Sequence, residues 1–137
     1  MTAKRAEPGT TIPPSLLYSI LCDDVRREAN GKLMLIGLFE TIGAAEFPAT
    51  HPALYVVNGW GGGVGTFIQH TRILGLDSGV LIQDRDTTFT LGDLRAKHSV
   101  IARFNNLPLA QFGEYAVEIR LNGDLKLRYP LIVEKSA

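Results

Sequence analysis

Two stretches near the C-terminus alternate apolar and polar side chains on either side of an Asn-Gly pair, a pattern that leaves little room for anything but β structure. Tyr115, Val117, Ile119 and Leu121 interleave with Ala116, Glu118, Arg120 and Asn122. A period of two turns one set toward a core and the other toward water. Asn122-Gly123 tolerates the positive φ angles of a type I′ turn. Beyond it, Leu125, Leu127, Tyr129, Leu131 and Val133 alternate with Lys126, Arg128 and Pro130. The segment therefore reads as a hairpin, in which Pro130 needs a local edge or a bulge because it has no amide hydrogen to donate. Gly113 and Tyr115 open its first strand. A tyrosine so placed matches the tyrosine corner of sandwich domains, where the hydroxyl bonds back to the preceding loop; a tyrosine that simply faces the core is the plainer alternative.

No segment of ten or more residues elsewhere carries a helical period. Short runs of Val, Ile, Leu, Tyr and Phe are separated instead by Gly, Asn, Asp and Pro. They predict strands over 15–22, 32–40, 53–60, 66–75, 79–84, 86–91, 98–105, 113–121 and 124–134. The expected fold is all-β, a two-layer antiparallel β-sandwich of the immunoglobulin-like or C2-like kind with about eight or nine strands. Residues 1–14 read as a flexible N-terminal arm, 15–134 as a single domain and 135–137 as a tail. At 137 residues such a domain builds a real apolar core and requires neither disulfide nor structural metal.

Lys plus Arg (14) equals Asp plus Glu (14), so the chain offers no general attraction to nucleic acid or anionic membrane. No window approaches the roughly 18 apolar residues of a membrane-spanning helix. Cys22 is the only cysteine, which fits a reducing compartment. Lys4, Arg5, Leu16–Leu21 and Cys22 imitate a lipoprotein signal poorly: Pro13-Pro14 precedes a short apolar run, and Leu21 stands where a small residue is needed. A cytoplasmic location is expected.

The candidates for chemistry are weak. Trp60, Gly61, Gly62 and Gly63 form a Gly-rich stretch, yet no Lys-Ser/Thr follows and Thr66-Phe67-Ile68 continues as strand. A phosphate loop would lead into a helix N-terminus. The same four residues are the candidate loop for a small ligand such as a sugar, although a Trp60 packed at the sandwich rim is the better reading. His51, His70 and His98 lack metal-ligand spacing, and Cys22 makes a thiol or metal centre with one of them only by long-range convergence. Asp23 and Asp24, with Asp77, Asp84, Asp86 or Asp93, are conceivable calcium ligands, but Arg26 and Arg27 lie close enough to form an ordinary surface network. No cofactor is called for and no catalytic set is visible.

The N-terminal pair of strands is different. Residues 16–22 and 33–39 are apolar at nearly every position, and strands apolar on both faces need cover on both. Leu17, Leu21, Met34, Ile36 and Leu38 are accordingly the candidate interface residues, the second cover being residues 1–14, the 41–52 loop or another protein chain. Ile20-Leu21-Cys22-Asp23-Asp24, Gly31-Lys32-Leu33 running to Ile36-Gly37, Gly113-Glu114-Tyr115 and Tyr129-Pro130-Leu131-Ile132-Val133 together form a pattern spanning residues 16–134. It resembles that of a widespread family of small uncharacterised bacterial proteins. The resemblance implies a compact β-sandwich and brings no activity or cofactor. The expectation is a non-enzymatic interaction or assembly module, with self-association or a protein partner.

Overall fold

The computed structural model of the chain describes residues 10–136. Its ten strands are β1 (Ser15–Arg27), β2 (Leu33–Leu38), β3 (Thr41–Ala44), β4 (Ala49–Gly61), β5 (Gly65–Leu74), β6 (Val80–Gln83), β7 (Thr87–Leu91), β8 (Lys97–Leu109), β9 (Gly113–Leu121) and β10 (Asp124–Lys135). One sheet has the order β2-β1-β4-β8; the other runs β3-β10-β9-β5-β6, with β7 also on β5. The chain is all-β, with no helix among the described residues and two sheets rather than a closed barrel.

Alternation sets the inward faces. In β9, Tyr115, Val117, Ile119 and Leu121 are buried, as are Phe67 and Ile73 of β5 and Leu54, Val56 and Trp60 of β4. They meet in one core together with Phe89, Phe104 and Leu131. Two polar side chains are paired across the core, while the buried Asn58 amide meets no partner among the described residues. Trp60 Nε1 donates to Gln69 Oε1 at 2.8 Å, and Gln69 Nε2 donates to Thr71 Oγ1 at 2.9 Å.

The hairpin of β9 and β10 turns through Asn122 (φ 50°) and Gly123 (φ 84°), and the Tyr115 hydroxyl donates to the Gln111 carbonyl at 2.7 Å. That is the backward bond of a tyrosine corner. Two details depart from simple alternation. A register shift between Leu125 and Leu127 puts Leu125 opposite Arg120, on the outer face. β10 is also an interior strand over Ile132–Lys135, where β3 pairs with it in parallel. Pro130 lies just before that pairing begins, where β10 has β9 alone beside it, so its missing donor breaks no ladder.

The expected 41–52 loop contains β3 and the start of β4. The expected strand 15–22 continues to Arg27, because β2 pairs with it from Cys22 onward. Along β5, β7 pairs with Gly65–Gln69 and β6 with Arg72–Leu74, so that edge is covered by two short pieces. Asp84 joins them, accepting from Thr71 N with its carboxylate and donating its own amide to Thr71 O. The reading of 1–14 as a free arm fails at its end: Ile12 and Val64 exchange both backbone bonds at 2.8 and 2.9 Å, and Pro14 is buried. The remainder of that arm, 1–9, lies outside the described residues.

Tyr115→Phe removes the donor that holds the 110–112 turn and leaves the ring in place. We expect a loss of about 1–2 kcal/mol, read as a lower urea midpoint at unchanged m-value; an unchanged midpoint would show that the corner bond contributes nothing.

Candidate interaction surface

Cross-strand register decides which residues of the apolar N-terminal pair face out. Leu21 lies opposite Val56, and both point into the core; Ile20 lies opposite Val57, and Cys22 opposite Tyr55 and Leu38, on the other face. The same side carries Met34 and Ile36, opposite Arg26 and Asp24, and Ile101 opposite Val57. The result is an outer face whose centre is already closed to water, with Cys22 and Val57 at 0% exposure. Around it Leu38 is 61% exposed, Met34 42% and Ile36 41%. Charges sit on the flanks: Arg26 Nε donates to Asp24 at 2.9 Å, and Arg103 lies over the Tyr55 ring at 5.5 Å.

Of the five expected interface residues, Met34, Ile36 and Leu38 therefore share this face. Leu17 is half exposed at the irregularity between Leu16 and Tyr18, against Gly61. Leu21 is a correction: it is 4% exposed and belongs to the intersheet core, so no partner reaches it. Where nearly every position is apolar, alternation loses its contrast, and only register against β4 reveals the facing.

The edges of the sheets differ as much as their faces. β2 is the outermost strand of its sheet and covers β1 only from Cys22 to Arg27, leaving Ser15–Leu21 paired with β4 on one side and with no strand on the other. Neither stretch holds a charged residue or a proline. Opposite, the unpaired side of β10 before Ile132 carries Lys126, Arg128, Pro130 and the register shift, devices that blunt an edge. Between the two edges runs a groove of about 830 Å³ lined by residues including Ile20, Leu38, Phe39 and Tyr129. The Ser19 and Tyr129 hydroxyls meet there at 2.8 Å, and burial pushes the Tyr129 phenol up.

The Gly-rich loop is packed rather than open. Trp60 has no exposed surface, being clamped in the core by Gln69 and stacked on Phe89 at 6.0 Å. Gly61 and Gly63 are buried as well, and only Gly62 stands open at the tip. A Cβ on Gly63 would fall 2.6 Å from the Ile12 carbonyl and the Pro14 nitrogen, so the segment before β1 fills the space a ligand would need.

The histidines are dispersed. His51 meets the Phe39 ring at 6.0 Å, and His98 stacks on Phe89 at 5.2 Å. His70 lies on the outer face of the other sheet, its nitrogens 2.6 Å from Asp86 and 3.0 Å from Gln83. Among the described residues no group of three or more His, Cys, Asp or Glu is placed to hold a metal ion, and the Asp23–Glu28 run is strand followed by turn, with Asp24 paired to Arg26. Burial pushes the Cys22 thiol up, against a backbone hydrogen bond at Asp24 and with the nearby Asp23 and Asp24 adding to the rise.

A charge cluster on the six-stranded sheet had no signal as a site beyond the wet-face alternation of Glu118 and Arg120. The Glu118 side chain is 1% exposed and ringed by Arg120 at 2.6 Å, Arg128 at 2.5 Å and Arg72 at 3.8 Å. Burial alone would raise its carboxyl; hydrogen bonds from Arg128 and Arg120 and their charges prevail and hold it below its ordinary 4.5.

Two measurements check these environments. Cys22 should react with a thiol-specific reagent far more slowly in the native protein than in urea, and fast native labelling would contradict its burial. For Glu118, a depressed native value means that its stabilisation is present above the ordinary carboxylate range and is lost as pH falls through the native value. The urea midpoint should therefore drop between about pH 5 and pH 3, and less steeply in Glu118→Gln; equal slopes would show that the arginines do not hold it ionised.

No curated protein matches the chain at a significant level. A family of unknown function, DUF6941, matches over residues 17–134, which takes in β2 to β9 whole and all but the outer ends of β1 and β10. The chain belongs to the DUF6941 family.

Proposed function

We propose that this chain is a non-enzymatic assembly module that docks through the outer face and open edge of its four-stranded sheet, with a second copy of itself as the partner. The observation that carries the reading is the cluster of Leu38, Met34 and Ile36, exposed on a strand whose outer edge is neither charged nor proline-bearing. A large aliphatic side chain gains about 1.5–3 kcal/mol on full burial, so covering three half-exposed ones is a substantial driving force. A second copy suits this surface for two reasons. Antiparallel pairing of an edge with itself about a twofold axis needs no charge matching along the uncharged β2. The flanking Asp24 and Arg26 are already paired with each other, and the chain's zero formal charge sets no long-range repulsion between copies.

Light scattering after size-exclusion chromatography, over a dilution series, tests it. The expected mass is twice the 15.0 kDa of one chain. Ile36→Lys should shift the population to monomer with little change in monomer stability, because the site is exposed. Leu125→Lys, equally exposed but on the other sheet, should leave the dimer intact. A monomer at every concentration, or the same mass for both variants, would remove the reading.

A further inference from the structure

The outer face of the six-stranded sheet is the chemical opposite of the one just described. Its cross-strand rows are Gln83–Arg72–Glu118–Arg128 and His70–Arg120–Leu125. Between them lies a shallow groove of about 600 Å³ whose lining includes Ile68, His70, Arg72, Asp86, Arg120 and Asn122, within the size range of small-ligand sites. We propose that this groove binds the phosphoryl group of a small phosphomonoester, held by Arg72 and Arg120.

The argument begins with donors that have no acceptor. Arg120 spends Nε on Glu118 and Nη1 on the Gly123 carbonyl, leaving Nη2 uncommitted among the described residues. Arg72 is held loosely, with Nη1 3.8 Å from Glu118 and a buried Nε that meets no acceptor among the described residues. Asn122 uses its side-chain oxygen to accept from Ile68 N, so its amide NH₂ remains to donate.

The charge balance at the groove also favours an anion. Arg72 and Arg120 share the groove lining with one carboxylate, Asp86, and together with Arg128 they surround a second, Glu118. Asp86 is hydrogen-bonded to His70 at 2.6 Å, and Asp84, outside the groove lining, accepts from the Thr71 amide. Glu118 also shows what this sheet does with a carboxylate: two guanidiniums suffice to hold it. The remaining donors match the terminal oxygens of a phosphoryl group, which guanidinium forks recognise. Ile68 in the groove and Leu125, opposite Arg120, are 44% and 46% exposed and offer apolar contact to the organic part of an ester.

Phenyl phosphate, inorganic phosphate and benzoate, titrated at constant ionic strength and followed by ¹⁵N NMR including the arginine Nε–H signals, test the site. Phenyl phosphate should shift the groove signals saturably, more tightly than inorganic phosphate and far more tightly than benzoate. Arg72→Gln should weaken it about tenfold or more with the fold intact by thermal unfolding, whereas Arg95→Gln, in the turn between β7 and β8, should leave affinity unchanged. Shifts that never saturate, equal affinity for all three anions, equal affinity in Arg72→Gln, or an equal loss in Arg95→Gln would each overturn the proposal.

Discussion

The indole of Trp60 reaches from the four-stranded sheet to Gln69 in the six-stranded one, and much of the molecule is arranged around that crossing. A buried N–H without an acceptor costs more than a hydrogen bond returns, so the sheets must hold β4 and β5 in the register that keeps Gln69 in reach. Thr71 satisfies the other end of the amide, and Phe89 stacks on the indole. The tight β4–β5 turn through Gly62 follows from the same constraint, because the chain must leave one sheet beside Trp60 and enter the other beside Phe67. Residues 12–14 then seal the turn by pairing with Val64.

How much of this is legible in the sequence depends on contrast. The C-terminal hairpin reads directly because Glu118, Arg120 and Arg128 alternate with apolar neighbours, and because Asn122-Gly123 names its own turn. The N-terminal pair does not, since a run such as Leu16-Leu17-Tyr18-Ser19-Ile20-Leu21 carries no polar marker of facing; Leu21 turned inward and Leu17 did not. β3 is invisible for another reason. Its four residues owe their strand conformation to a parallel partner about ninety residues further along, and no local pattern encodes such a pairing. Trp60 among glycines looks like an exposed loop residue, whereas the glycines are there to let other backbone approach.

The guanidinium cluster shows the same limit from the opposite side. Arg72, Glu118, Arg120 and Arg128 come from three strands, and each taken singly is an ordinary wet-face residue. Only the cross-strand register makes them neighbours. The two outer faces of the sandwich thus acquire opposite characters, one apolar around a sealed centre and one rich in cationic donors. A charged face discourages indiscriminate stacking of sheets, so the division also restricts which side of the molecule meets another protein.

The unequal treatment of the sheet edges has a consequence for stoichiometry. β8 ends its sheet with Lys97, Arg103, Pro108 and an Asn106 at φ 55°, the β5 edge is broken into two pieces, and β3 is four residues long. Among the described residues the β2 edge is free of charge and proline, with Gly37 at φ 70° its one irregular position. A subunit with plain edges on both sides would add copies without limit, as a ribbon. In the assembly proposed above, a subunit with one such edge would have a valence of one: once paired with its equal, it would have nothing left to extend.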